Sequence, residues 1–164
     1  MDGSPSHAGF TVRRADSRDA AALGTMRAAQ QLEIDGEPPP LADDAYASAC
    51  ASFFARELDA TDPWVVAWVA EADGRIAGSV VLTLAPTLPR RNIPESGPDG
   101  RIRSVYVYPE LRSRGIARAL VVSAIADAAA RDVARLMLGA SAMGRPLYES
   151  LGFVAKPDEM MYDP

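Results

Sequence analysis

The amino-acid sequence predicts an α/β domain: a mixed, mostly antiparallel sheet of six or seven strands flanked by about four helices. Three observations carry this. The β-branched, apolar runs Trp64–Ala70 and Arg75–Leu84 flank Ala72-Asp73-Gly74, a hairpin signature. Segments with apolar residues at helical spacing lie on either side of that hairpin. The alternating run Arg101–Tyr108 leads through a basic turn straight into a helix rich in Ala, Val, Ile and Leu.

Residues 1–8 are small and polar and read as a disordered lead-in, leaving residues 9–164 as one domain. Phe10–Arg13 alternates apolar and polar, as a half-buried strand does. Asp16, with Asp19 after it, resembles a helix start with carboxylates in the first turn. Glu37-Pro38-Pro39-Pro40 closes that helix. A second helix runs from about Asp43 to Leu58, with Tyr46, Cys50, Phe53 and Leu58 near one stripe. Asp62-Pro63 breaks the chain before the hairpin, and the Pro- and Gly-rich segment Pro86–Gly100 reads as a loop. Pro109–Gly115 is an arginine-rich turn, and the helix beyond it spans about Ile116–Arg131, with Leu120, Ala124 and Ala128 on one face. Arg135–Leu138 suits a short strand. Pro146–Leu151 suits a short helix stopped by Gly152, and Phe153-Val154 with Met160–Tyr162 suit two closing strands.

With 164 residues the chain fits a single domain with its own core. It is 48% hydrophobic and 24% charged, as soluble globular proteins are. The net charge of −5 disfavours nucleic acid as a partner and weakly favours a cationic substrate. One cysteine, Cys50, and one histidine, His7, leave no internal disulfide and no Cys/His metal cluster, so no metal is expected. No apolar run reaches the length of a membrane span, and the N-terminus lacks the pattern of a signal peptide. A cytoplasmic protein is the expectation, and the abundance of Ala, Arg and Asp suggests a bacterial composition.

The segment Arg103–Leu120 carries the chemistry. A strand, a tight basic turn and a helix make an anion site. The first N–H groups of a helix have no intrahelical partner, and the helix dipole adds about 0.3–1 kcal/mol per anionic contact. Gly115 and Ala117 keep the turn free of bulk, while Arg112, Arg114 and Arg118 add positive charge. A pyrophosphate fits such a site. The turn lacks Gly-Lys-Ser/Thr and G-x-G-x-x-G, which disfavours a nucleotide-hydrolysing loop and a nicotinamide site. The bland alternative is an ordinary strand-to-helix turn.

Arg112-x-x-Gly115-x-Ala117 resembles the R/Q-x-x-G-x-G/A motif of the GCN5-related N-acetyltransferases. Val105-Tyr-Val-Tyr-Pro109 looks like the strand before that motif, and Gly144–Phe153 looks like the family's later helix ending in Leu-Gly-Phe. The resemblance covers about residues 9–162. It implies the GNAT fold, in which two central parallel strands splay to admit acetyl-coenzyme A. It implies backbone contacts to the pantetheine arm from Val105, Tyr106 and Val107, and to the pyrophosphate from Arg112, Ser113, Arg114, Gly115, Ile116, Ala117 and Arg118. Tyr148 becomes the general acid for the departing thiolate, or else a half-buried packing residue. Where some members carry a catalytic glutamate, this chain has Arg101. Ordered water, Glu71, Glu95 or Asp99 are the substitutes. Glu33, Asp35 and Glu37 either border the acceptor site or form a solvated loop.

The expected reaction is direct acetyl transfer to a primary amine, on a small molecule or a peptide, with a homodimer suggested by the family. A non-catalytic acyl-coenzyme A sensor or partner-binding module on the same fold is the alternative, and an unrelated phosphate-binding protein is a third reading. Trp64 and Trp68 are expected to pack in the core on one face, Cys50 to be an inert core residue, and His7 to be uninvolved.

Overall fold

The computed structural model describes residues 6–7, 9–35, 43–89, 91 and 97–156. Two strands set the frame, β1 (Ser6–His7) and β2 (Phe10–Arg14), followed by α1 (Ala20–Asp35) and α2 (Asp43–Leu58). Then come β3 (Val65–Ala72), β4 (Arg75–Ala85), β5 (Asp99–Val107), α3 (Ile116–Ala130), β6 (Arg135–Leu138) and α4 (Arg145–Ser150). They form one six-stranded sheet in sequence order, antiparallel throughout except for the parallel pair β5–β6.

β3 shows why the sheet holds two layers apart. Its apolar run has no polar alternation because both faces are covered. Val66, Trp68 and Ala70 point into one core with Leu82, Ile102, Leu120 and Ala124, on the α3 side. Val65, Ala67 and Val69 point into a second core with Leu23, Met26 and Phe54, on the α1–α2 side. The predicted hairpin closes on Asp73 (φ 51°) and Gly74 (φ 73°), both left-handed as a type I′ turn requires. Leu120, Ala124 and Ala128 are buried, as the predicted helical face requires.

Three expectations need correction. Ser6–His7 pairs with β2 (Ser6 with Thr11, His7 with Phe10), although its composition reads as a loose lead-in. Phe153-Val154 is coil, not strand. The reason is local: the N–H of Gly152 bonds Glu149 O and that of Phe153 bonds Tyr148 O, a Schellman stop that turns the chain away. Met160–Tyr162 lies outside the described residues. Trp64 precedes β3 and so escapes its alternation. It is 49% exposed while Trp68 is 7% exposed, so the two do not share a face.

The N-terminal anchor is a charged one. Where the sequence suggests a helix start, Asp16 and Asp19 form a capping box around a short 3-10 turn, Ser17–Asp19, which leads into α1. Asp19 also accepts Arg13 Nη1 and Nη2 at 2.7 and 2.8 Å and the Asp16 N–H at 3.0 Å, inside a buried site. The Arg13 hydrogen bonds hold the Asp19 carboxyl below the usual carboxylate range, against the effect of burial. Its folded pKa is depressed, so its stabilisation is present above the unfolded value and disappears as pH falls through the folded one. Asp19→Ala should therefore lower stability by about 1–3 kcal/mol at pH 7, with the difference from wild type closing below about pH 4. Urea denaturation of both proteins across pH 2–8 checks this.

Candidate functional site

β5 is paired on one side along its length and on the other for only half of it. Against β4 the register runs from Ala85–Asp99 to Gly78–Val107. Against β6 it stops at Ile102–Leu138. From Arg103 onward no strand pairs with the β6-side edge of β5 among the described residues, because β6 ends at Leu138, leaving the opening that the family resemblance calls for.

A bulge sits where the gap opens. Val81 pairs with Arg103 and Ser79 with Tyr106, so Ser104 and Val105 together oppose Val80. Ser104 takes φ 51°, a left-handed conformation costly for a residue with a side chain. One extra residue flips the side-chain phase. Ile102 faces the α3 core, and after the bulge Val105 and Val107 face that same core while Tyr106 faces the other. The Tyr108 N–H bonds Ala77 O at 3.1 Å, so the main-chain groups of Val107 point to the opposite, open edge.

Two side chains fasten this strand to its surroundings. Gln30 on α1 donates Nε2 to Val105 O at 3.0 Å. Arg112 donates Nε to Val107 O at 2.9 Å and Nη2 to both oxygens of Glu33 at 2.8 Å, with its guanidinium 5.6 Å from the Tyr106 ring centroid. Tyr106 Oη donates to Glu33 Oε1 at 3.3 Å, and burial followed by the Glu33 charge raises its pKa. Arg112 thus ties turn, strand and helix together and spends its charge on Glu33. Sequence reasoning assigned that charge to an anion, and Glu33 either to the acceptor border or to a solvated loop. Gln30 gave no sequence signal.

The turn itself is open. Ser113, Arg114 and Gly115 are exposed, and Ser113 (φ 62°) and Gly115 (φ 82°) are left-handed. A Cβ on Gly115 would meet nothing, so the glycine is there for its backbone conformation. The first α3 bond is Ala119 N–H to Gly115 O at 3.0 Å, which leaves the N–H groups of Ile116, Ala117 and Arg118 without helical partners. Arg118 reaches Ser150 Oγ at 2.9 Å and joins α3 to α4. The arrangement can hold an anion on main-chain donors.

Tyr148 lies on α4, 8% exposed, in the same core as Val105 and Val107, with its ring edge-on to Phe153 at 6.1 Å. Burial pushes its pKa above 10.0. It lines a cavity of about 620 Å³ with Met137, Leu138 and Phe153. A second cavity, of about 500 Å³, opens on the other face of the sheet, between α1, α2 and β5. Cys50 and Trp64 line it, so Cys50 is a half-buried wall residue, not a sealed core one.

The proposed bases do not gather here. Arg13 holds Glu71 at 2.7 Å, and Asp99 begins β5, four residues before the gap opens. Glu37, Glu95 and the side chain of Asp35 lie outside what is described. No group of three or more His, Cys, Asp and Glu residues close enough to hold a metal occurs among the described residues. No helix among them is long and apolar enough to cross a membrane.

Residues 26–153 match the model of the acetyltransferase (GNAT) family. A glucosamine 6-phosphate N-acetyltransferase of Trypanosoma brucei brucei is 31% identical over 90 residues, which span 55% of this chain and 58% of that relative. A predicted acetyltransferase from Clostridium acetobutylicum, solved with acetyl-CoA, superposes with a TM-score of 0.79 at 25% identity, over 94% of this chain and 96% of that one. A GCN5-related N-acetyltransferase from Ralstonia eutropha JMP134 gives 0.79 at 28% identity, over 95% and 98%.

The Arg112–Glu33 tie predicts energetic coupling. Arg112→Gln and Glu33→Gln should each lower the melting temperature, and the double variant should lose roughly 0.5–1 kcal/mol less than their sum, a modest value because both groups are part-exposed. Strict additivity in a denaturation cycle would contradict the tie.

Proposed function

We propose, proceeding from the fact that this chain belongs to the acetyltransferase (GNAT) family, that it moves an acetyl group from acetyl-coenzyme A to a primary amine within one ternary complex. The observation that carries this reading is the half-paired strand β5, whose Val107 main-chain groups face its open edge and which leads through a basic turn into a helix start with unpartnered N–H groups, while buried Tyr148 packs in the same core as Val105 and Val107. The Clostridium acetobutylicum neighbour, solved with acetyl-CoA, supports the choice of donor. The amino-sugar phosphate in the name of the trypanosomal relative and a cavity of about 500 Å³ support a small-molecule acceptor over a protein.

The residues divide the work. Acetyl-coenzyme A supplies an activated thioester and a pyrophosphate to be gripped. The N–H groups of Ile116, Ala117 and Arg118, with Ser113, Arg114 and Gly115 at the mouth, hold the pyrophosphate on aligned dipoles. The N–H groups of Val105 and Val107 hydrogen-bond the pantetheine arm and polarise the thioester carbonyl. Arg112 acts at one remove, by keeping Val107 and the turn in register. The amine must arrive neutral. No carboxylate described here is placed as its base, so proton loss to water is the proposed route. Tyr148 keeps its proton because burial disfavours the phenolate, and it gives that proton to the departing thiolate.

The test is release of free thiol with a panel of amines. Tyr148→Phe should lower kcat by about 10²–10⁴-fold while the melting-temperature rise induced by acetyl-coenzyme A persists. The pH profile has a definite sign. A tyrosine pKa raised above 10.0 keeps the donor protonated through neutral and mildly alkaline pH, so the rate should climb as the amine deprotonates and fall only above pH 10. Coenzyme binding with no turnover on any amine, and no effect of Tyr148→Phe, would favour the sensor reading instead.

A further inference from the structure

The cavity on the α1–α2 face of the sheet has the wrong charge for a cationic guest. Its wall holds Cys50, Phe53, Phe54 and Trp64, and its polar groups are led by Arg27 and Arg103. The chain carries more acidic than basic residues, 22 against 17. Arg13, Arg18, Arg56, Arg75, Arg112 and Arg131 each meet a carboxylate. The two cavity arginines do not, among the described residues. Arg27 meets the neutral Gln30 Oε1 at 3.1 Å, and Arg103 meets Thr83 Oγ1 at 3.4 Å. Burial, then the charges of Arg101 and Arg27, lowers the pKa of Arg103. Arg103 is exposed and Arg27 half-buried, so water screens their repulsion in part, and an anion seated between them gains two charge-assisted partners.

The position is as informative as the sign. Ser104 also lines this cavity, and it is the bulge residue next to Val105. A guest seated here lies beside the stretch of β5 where the strands part. The aromatic wall is held by contacts of its own: Phe53 and Trp64 meet edge-on at 6.0 Å, and Trp64 Nε1 donates to Glu57 Oε2 at 2.6 Å.

We infer that this cavity is the acceptor subsite and takes an amine that also carries an anionic group, held by Arg27 and Arg103, with an aromatic or aliphatic body against Phe53 and Trp64. This rests on the acetyl-transfer reading. The anion is a carboxylate or a phosphate, which the same guanidinium chemistry accepts.

Matched acceptors test it by thiol release: phenylalanine against phenylalaninamide, glucosamine 6-phosphate against glucosamine, and cadaverine as a cation. The anionic member of a pair should be preferred in kcat/KM by on the order of 10- to 100-fold, and which pair shows the preference identifies the anion. Arg103→Gln and Arg27→Gln should collapse that ratio toward one through KM, with Arg103→Lys retaining part of it. Equal or better use of the uncharged or cationic members, or a ratio unmoved in both Gln variants, would overturn the inference. If acetyl-coenzyme A binds but no amine releases thiol, the transfer reading fails separately. Calorimetry of the same anionic amines then decides: binding abolished by Arg103→Gln upholds an anion subsite, and no binding overturns it.

Discussion

A strand that keeps both neighbours for only half its length governs everything else in this molecule. β5 is bonded to β4 to its end, but loses β6 after Ile102. Main-chain donors and acceptors left without partners must find others, because an unpaired buried polar group costs about 1–3 kcal/mol. Part of that need is met inside the chain, by Gln30 at Val105 O and Arg112 at Val107 O. Under the proposed function, the N–H groups on that edge are the donors for a flexible, amide-bearing arm, the kind of guest that completes a strand edge.

The Ser104 bulge decides which face of the sheet each later residue of β5 serves, and Ser104 itself lines the Arg103 cavity. By flipping the side-chain phase it places Val105 and Val107 over the α3 core and Tyr106 over the α1–α2 core. One cavity lies on the Tyr148 side of the sheet and the other on the Arg103 side. The strained φ of Ser104 is tolerated because β4 on one side and Gln30 on the other fix the residues around it.

Much of this frame was legible in the residues. The Ala72-Asp73-Gly74 hairpin, the Ile116 helix with its buried Leu120 face, and the glycine-bearing turn before it all follow from local rules, and all are found. What escaped was non-local. Nothing in the spacing of Gln30 announces a bond to a carbonyl 75 residues away. Arg112 read as a free cation because its partner, Glu33, lies on another helix. The net charge of −5 favours a cationic substrate only weakly, and it does not show that one cavity gathers arginines; a whole-chain sum carries no address. The bulge did leave a trace. Apolar side chains alternate as Ile102 and then as Val105 and Val107, with Ser104 breaking the phase between them. Trp64 misled because strand alternation was extended one residue past the strand's true start.

Amide hydrogen exchange with and without coenzyme A tests the half-paired strand most directly. The account predicts slowed exchange in two separate segments at once, Val105–Val107 on the open edge and Ser113–Arg118 at the helix start, with the β3–β4 hairpin unchanged. Tight binding that protects neither segment, or only the helix start, would contradict it.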